Sequence, residues 1–209
     1  NERYDPTTNS WESMAPMSTA RSSLSACVLG GYIYAIGGRS LSVVERYNPQ
    51  TNSWETVAPL NKARSGHGCG VANGCIYVFG GSYNVSSTEK YNPLTNEWEF
   101  VTEMAGGDRC YFTSFSHKGF IYAAGGWNNG DWLNPLERYD PVSDKWEVLT
   151  DMLTERSDLS GAVLGDCLYA VGGFGEVGKV VEKFDVTKGE WSRVADLKQA
   201  RYDHACVSL

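Results

Sequence analysis

The fold is decided by the stretch Ile33-Tyr34-Ala35-Ile36-Gly37-Gly38 and by the segment that follows it, Val44-Glu45-Arg46-Tyr47-Asn48-Pro49-Gln50-Thr51-Asn52-Ser53-Trp54-Glu55. Similar stretches return every 43 to 48 residues, marked by the glycine pairs Gly37-Gly38, Gly80-Gly81, Gly125-Gly126 and Gly172-Gly173 and by Trp11, Trp54, Trp98, Trp146 and Trp191. Such a period is the signature of one supersecondary unit copied in tandem. The chain is therefore predicted to be a repeat protein.

Each unit contains signals for short strands joined by tight turns. In residues 61–104, Asn73-Gly74 is a two-residue hairpin signal, Gly80-Gly81 closes an apolar stretch, and Asn92-Pro93 ends a third strand. Four antiparallel strands per unit are typical of a propeller blade. We expect an all-β protein, a β-propeller with complete blades at about 17–60, 61–104, 105–152 and 153–197 and with partial-blade strands in 1–16 and 198–209.

Composition narrows the class of protein. The chain has 209 residues, of which 42% are hydrophobic, and a formal net charge of −7. Without a run of basic residues, a nucleic-acid partner is not expected, and the apolar stretches are too short to span a membrane. The six cysteines form no C-x-x-C pair and partly follow the repeat, which favours small buried residues in a reducing compartment. We expect a cytoplasmic location.

The spacings inside the repeat are constant except in one segment. A recurring arginine precedes the first glycine of each pair by 16 residues, and the third-strand aromatic precedes the tryptophan by 7. The segment from that glycine to the aromatic varies, with lengths of 10, 11, 14 and 12 residues. A rigid scaffold with one variable loop per unit is typical of a binding surface. The loops 39–43, 82–87, 127–135 and 174–179 are predicted to share one face.

The stretches 33–38 and 44–55 and their copies resemble the kelch repeat, and most of all the kelch domains of BTB–kelch (kelch-like) proteins. The resemblance covers essentially the whole chain. It implies a β-propeller, usually with six blades, that captures a protein or an acidic peptide motif. It also implies that a BTB domain elsewhere would recruit a cullin-RING ubiquitin ligase, which would make the chain a substrate adaptor in the ubiquitin-conjugation pathway.

In similar propellers, the strand-opening arginines and the residues just after the glycine pair line the peptide pocket. Here that resemblance implies a partner-binding set, extended by the loop of blade 3, that consists of Arg21, Arg39, Arg64, Tyr83, Arg109, Trp127, Asn128, Asp131, Trp132, Arg156, Phe174 and Arg201. The alternative for the repeated arginines is a structural role, either stacking on the repeated tryptophan or an ion pair inside the blade with the repeated acids Glu2, Glu45, Glu89, Glu137 and Glu182. The repeated tryptophans are interpreted as packing residues, whereas Trp127 and Trp132 break the repeat and are interpreted as partner contacts.

Other functions are weighed on the same residues. Some kelch proteins bind actin, so an actin-binding scaffold is the alternative. Kelch-type propellers also occur in copper oxidases and sugar-acid epimerases, but three scattered histidines are too few for a metal site. No nucleophile, phosphate-binding or dinucleotide motif is present, and we therefore expect no enzymatic activity and no cofactor.

The two ends of the chain are expected to carry incomplete blades. Residues 1–16 resemble third and fourth strands, and residues 199–208 resemble a first strand, without the second strand that would join them. Either the ends build a three-stranded fifth blade or the chain is part of a larger propeller, and we favour the second interpretation.

Overall fold

The structure, a computed structural model, describes residues 1–82 and 85–208. In that part the regular structure consists of β-strands and one short 3₁₀ helix, Gly175–Val177, in the loop of blade 4. The partial blade contains β1 (Glu2–Asp5) and β2 (Ser10–Ser13). Blades 1 and 2 contain, in order, β3 (Ser25–Leu29), β4 (Tyr32–Ile36), β5 (Val44–Asn48), β6 (Ser53–Val57), β7 (Gly68–Ala72), β8 (Cys75–Phe79), β9 (Thr88–Asn92) and β10 (Glu97–Val101). Blades 3 and 4 contain β11 (Thr113–His117), β12 (Phe120–Asn128), β13 (Asp131–Asp140), β14 (Lys145–Val148), β15 (Ser160–Leu164), β16 (Cys167–Val171), β17 (Val181–Asp185) and β18 (Glu190–Arg193).

Each complete blade is a four-stranded antiparallel meander in sequence order. The first strands β3, β7, β11 and β15 contact one another in series, so they line the centre of the arrangement and the fourth strands lie outside. The tight turn before each tryptophan forms as the sequence predicts, because Asn9, Asn52, Asn96, Asp144 and Gly189 all adopt positive φ. The predicted propeller of four-stranded blades is confirmed.

The hydrophobic core lies between the blades rather than within any one sheet. Between blades 1 and 2, Tyr34 and Ile36 pack against Ile76 and Val78, and equivalent clusters join blades 2 and 3 and blades 3 and 4. Three of the repeated tryptophans, Trp98, Trp146 and Trp191, take part in this packing, whereas Trp54 is half-buried and Trp11 is 67% exposed. The indole of Trp98, for example, donates to the Ala58 carbonyl oxygen of the preceding blade at 2.9 Å.

Two expectations about secondary structure are corrected. The segment 127–135, expected to be a loop, is mostly a hairpin that extends β12 and β13, with Asn129 and Gly130 at the turn in positive φ. Residues 199–208, expected to be a first strand, are not in a strand, because a strand needs a neighbour to hydrogen-bond and no second strand lies beside them in the described residues. Likewise β1 pairs with β2 alone in that part of the chain.

No helix within the described residues is both long enough and apolar enough to cross a membrane.

Candidate functional site

The repeated arginines lie inside the blades. The Arg64 guanidinium donates to the Glu89 carboxylate at 2.9 Å and to the carbonyl oxygens of Gly80 at 2.9 Å and Ser87 at 2.7 Å, and both charged side chains are 0% exposed. Burial lowers the pKa of Arg64, and the Glu89 carboxylate opposes that effect. Equivalent buried ion pairs join Arg21 to Glu45, Arg109 to Glu137 and Arg156 to Glu182. In the last of these the charged atoms lie 3.3 Å apart without a hydrogen bond between them.

This arrangement explains the constant 16-residue spacing and corrects one prediction. In each blade the arginine donates to the carbonyl oxygen of the first glycine of the pair, so the spacing fixes a buried hydrogen bond. A guanidinium that is held there cannot reach a partner. The structure therefore contradicts the prediction that Arg21, Arg64, Arg109 and Arg156 bind a partner. It shows the alternative ion pair for Glu45, Glu89, Glu137 and Glu182, while Glu2 has no such pair within the described residues.

The variable loops and the starts of the first strands lie at the same end of the blades. The backbone N–H of the residue after each glycine pair donates to the residue just after the arginine: Arg39 to Ser22, Ser82 to Ser65, Trp127 to Cys110 and Phe174 to Ser157, at 2.8 to 2.9 Å. These bonds hold the beginning of each loop against the residues that precede the first strand of the same blade. We call this end the loop face.

On the loop face, aromatic side chains form a cleft across blades 3 and 4 and the C-terminal segment. Trp127 and Trp132 lie opposite each other on the extended hairpin. The Trp132 ring lies 6.5 Å from that of Phe174, and Phe174 lies 5.3 Å from Tyr202. With Tyr111, Ser157, Asp158 and Asp203, these residues line a cavity of about 370 Å³, which we call the aromatic cleft. Since Trp132 and Phe174 are each 48% exposed, their rings can contact another molecule.

The residues two positions after each arginine form a belt around a cavity on the loop face, which we call the channel mouth. The backbone N–H of Gly66 donates to the Ser23 carbonyl oxygen at 3.0 Å, and the series continues from Tyr111 to Gly66, from Asp158 to Tyr111 and from Asp203 to Asp158. All five mouth positions have φ between 51° and 60°. A bulky residue such as Tyr111 rarely adopts this conformation, and backbone strain of this kind concentrates at functional sites.

Two carboxyl groups lie at the junction of the belt and the aromatic cleft. Asp158 is half-buried and accepts a hydrogen bond from the Ser157 hydroxyl. Burial raises the pKa of Asp158, the Ser157 hydroxyl opposes the rise, and the neighbouring Asp203 adds to it. No ion pair to either group occurs among the described residues. The cleft therefore combines aromatic walls with uncompensated negative charge.

The remaining residues of the predicted partner-binding set lie outside both the buried ion pairs and the lining of the aromatic cleft, or outside the described residues. Arg39 is exposed at the loop face of blade 1. Asn128 and Asp131 face each other near the tip of the extended hairpin. Arg201 is exposed, and its carbonyl oxygen accepts from the N–H of Gly173. Tyr83 lies outside the described residues.

Sequence reasoning missed Tyr111, Asp158, Tyr202 and Asp203. They lie one or two residues after the repeated arginines. A signal for them was present in the sequence, because the residue two positions after each arginine changes from Ser and Gly to Tyr and Asp along the repeats while the flanking spacing is constant. In the described part of the chain, these acids belong to no group of three or more potential metal ligands.

Comparisons with known proteins give the family. The model described as "KLHDC2/KLHL20/DRC7 Kelch-repeats domain" matches residues 39–209. The chain is 49% identical over 37 residues to Kelch-like protein 1 of Mus musculus and 55% identical over 38 residues to Kelch-like protein 15 of Danio rerio. Each alignment covers 18% of this chain but only 5% and 6% of those relatives. The matched part is thus a small share of the length of the relatives.

A comparison of structures gives the same fold. The solved structure titled "Structure of YjhT" superposes with a TM-score of 0.79 at 17% identity, covering 90% of this chain and 69% of that one. The likeness overturns the expectation of no enzymatic activity, which rested on missing sequence motifs. Since one fold can host several functions, missing local motifs do not exclude an active site on it. The exclusion of an enzyme is therefore incorrect.

Proposed function

Because this chain belongs to the KLHDC2/KLHL20/DRC7 kelch-repeat family, we propose that it is a protein-interaction module whose aromatic cleft captures a partner protein. The observation that carries the proposal is the row of exposed rings from Trp127 and Trp132 through Phe174 to Tyr202. Tryptophan and tyrosine in a partly enclosed pocket are the usual anchors of protein interfaces.

The finer role that we propose is that of a substrate receptor in the cytoplasm, attached to a cullin-RING ubiquitin ligase through a BTB domain. Its support is the local identity to kelch-like proteins, together with a scaffold whose variable loops lie on one face. In such an assembly the cleft would select the protein to be modified.

Affinity capture with the full-length protein tests both levels. We expect the Trp132→Ala variant to capture at least about tenfold less of the specific partners than the unchanged protein does. The matched control is Leu94→Ala, since Leu94 is 93% exposed in a turn at the other end of the blades, and it should retain them. Equal capture by the two variants would refute the cleft as the binding surface. Failure of the full-length protein to co-precipitate a cullin would refute the ligase role alone.

A further inference from the structure

We propose that the aromatic cleft recognises a cationic side chain of the partner, arginine in preference to lysine. This inference rests on the proposed function and adds the chemistry of the bound segment to it. It replaces the acidic motif expected from the sequence, because that expectation depended on arginines that the structure places inside the blades.

The charge of the cleft is the first reason. Asp158 and Asp203 are joined through the belt by a 3.0 Å backbone hydrogen bond, and their carboxyl groups lie near enough to influence each other. Two like charges on a partly desolvated surface repel each other, and a cation placed between them removes that cost. Within the described residues the lining contains no lysine or arginine that could serve.

The walls of the cleft are the second reason. Phe174 has two aromatic neighbours, with Tyr202 edge-on at 83° and Trp132 tilted at 57°. Exposed ring faces attract cations through the ring quadrupole. The protein already stacks arginines on rings elsewhere, since the guanidinium carbon of Arg138 lies 4.6 Å from the centre of the Phe120 ring.

Arginine fits this combination better than lysine. A planar guanidinium can lie against a ring and still direct its donors at two carboxylates, whereas an ammonium is more strongly hydrated and stacks less well. An acidic segment would meet repulsion from Asp158 and Asp203. A second copy of this chain, with its net charge of −7, is disfavoured for the same reason.

Capped glycine–serine peptides with one central arginine, lysine, glutamine or glutamate test the proposal on the ¹⁵N-labelled protein. The indole signals of Trp127 and Trp132 report the cleft, and that of exposed Trp11 reports non-specific binding. We expect the arginine peptide to move the two cleft signals, the lysine peptide to bind more weakly, and the glutamine and glutamate peptides to bind at least about tenfold more weakly than arginine. The Trp11 signal should not move.

The double variant Asp158→Asn/Asp203→Asn should bind the arginine peptide about tenfold or more weakly than the unchanged protein does. Asp166→Asn is the control, because Asp166 is an exposed acid in the β15–β16 turn at the opposite end of the blades, and it should bind as the unchanged protein does. Equal or tighter binding of lysine, glutamine or glutamate would overturn the arginine assignment and leave the cleft as an interface. If no peptide moved the indoles at millimolar concentration and Trp132→Ala still captured every partner, both proposals would fall.

Discussion

The channel mouth differs between its two sides, although the backbone belt is the same. On blades 1 and 2 the mouth positions are Ser23 and Gly66, whereas blades 3 and 4 and the C-terminal segment present Tyr111, Asp158 and Asp203. The loop of blade 1 is also short, while that of blade 3 is a hairpin with two tryptophans. Because the scaffold is shared, the comparison separates the residues that build the propeller from those that we propose to recognise a partner.

The separation of scaffold residues from recognition residues would not hold if the repeated arginines bound the partner. Arg64→Ala should lower the free energy of unfolding by about 3–5 kcal/mol, because it leaves the Glu89 carboxylate buried without its cation. Urea denaturation measures the loss. Lys90→Ala, which removes an exposed ion pair with Glu99, should cost no more than about 1 kcal/mol. A stable Arg64→Ala protein with impaired partner capture would restore the original prediction.

Acid should destabilise the side of the mouth formed by blades 1 and 2 through His67. Burial, reinforced by Arg64, lowers the pKa of His67 to about 3, whereas an unfolded histidine titrates near its ordinary value of 6.5. The unfolded chain therefore binds a proton that the folded chain does not, and stability is lost as the pH falls from about 6.5 towards 3. Relative to His67→Gln, the protein should lose about 1.4 kcal/mol per pH unit between pH 6 and pH 4. Parallel stability curves for the two proteins would contradict this.

The belt itself is tested by Gly66→Ala. A Cβ atom there would lie 2.7 Å from Cε1 of Tyr111, and the residue has a φ of 60°. Strain and overlap should together cost about 1–3 kcal/mol in thermal or urea unfolding. We expect the signals of Tyr111 and of the adjoining cleft to shift as the ring moves away. An unchanged stability would mean that the mouth is looser than its hydrogen bonds indicate.

The smallest effect is expected at Asp158, where function and stability should change in opposite directions. Its pKa is raised mainly by burial, so the ionised carboxylate is disfavoured in the folded protein at neutral pH. Asp158→Asn should therefore raise the free energy of unfolding slightly, by no more than about 1 kcal/mol, while it weakens binding of the arginine peptide. The gain should begin to shrink as the pH falls through the raised pKa and should be lost below the unfolded value of 3.8. A clear loss of stability at pH 7 would show that the carboxylate is structural.

Much of the fold could be predicted from the sequence because its determinants are local or periodic. The four blades and the left-handed turn residues before Trp54 and Trp98 follow from spacing, and the family follows from the resemblance of the repeated residues to the kelch repeat. The direction of the arginine side chains could not be predicted, since a constant spacing of 16 residues is compatible both with a buried hydrogen bond and with guanidinium groups exposed around the loop face. The acids of the cleft were missed because Asp158 and Asp203 are 45 residues apart in the sequence and meet only when the blades pack.

The positive φ values of the mouth positions also limit how such a protein can evolve. A left-handed backbone accepts glycine, asparagine and aspartate readily, while most other side chains cost about 1–2 kcal/mol there. Single substitutions can thus change the mouth from neutral to acidic at little expense to folding, but a change to branched or basic residues requires compensation elsewhere. The residue types that these positions tolerate are biased towards short polar and negative side chains. New specificities should therefore arise more often through the loops than through the belt.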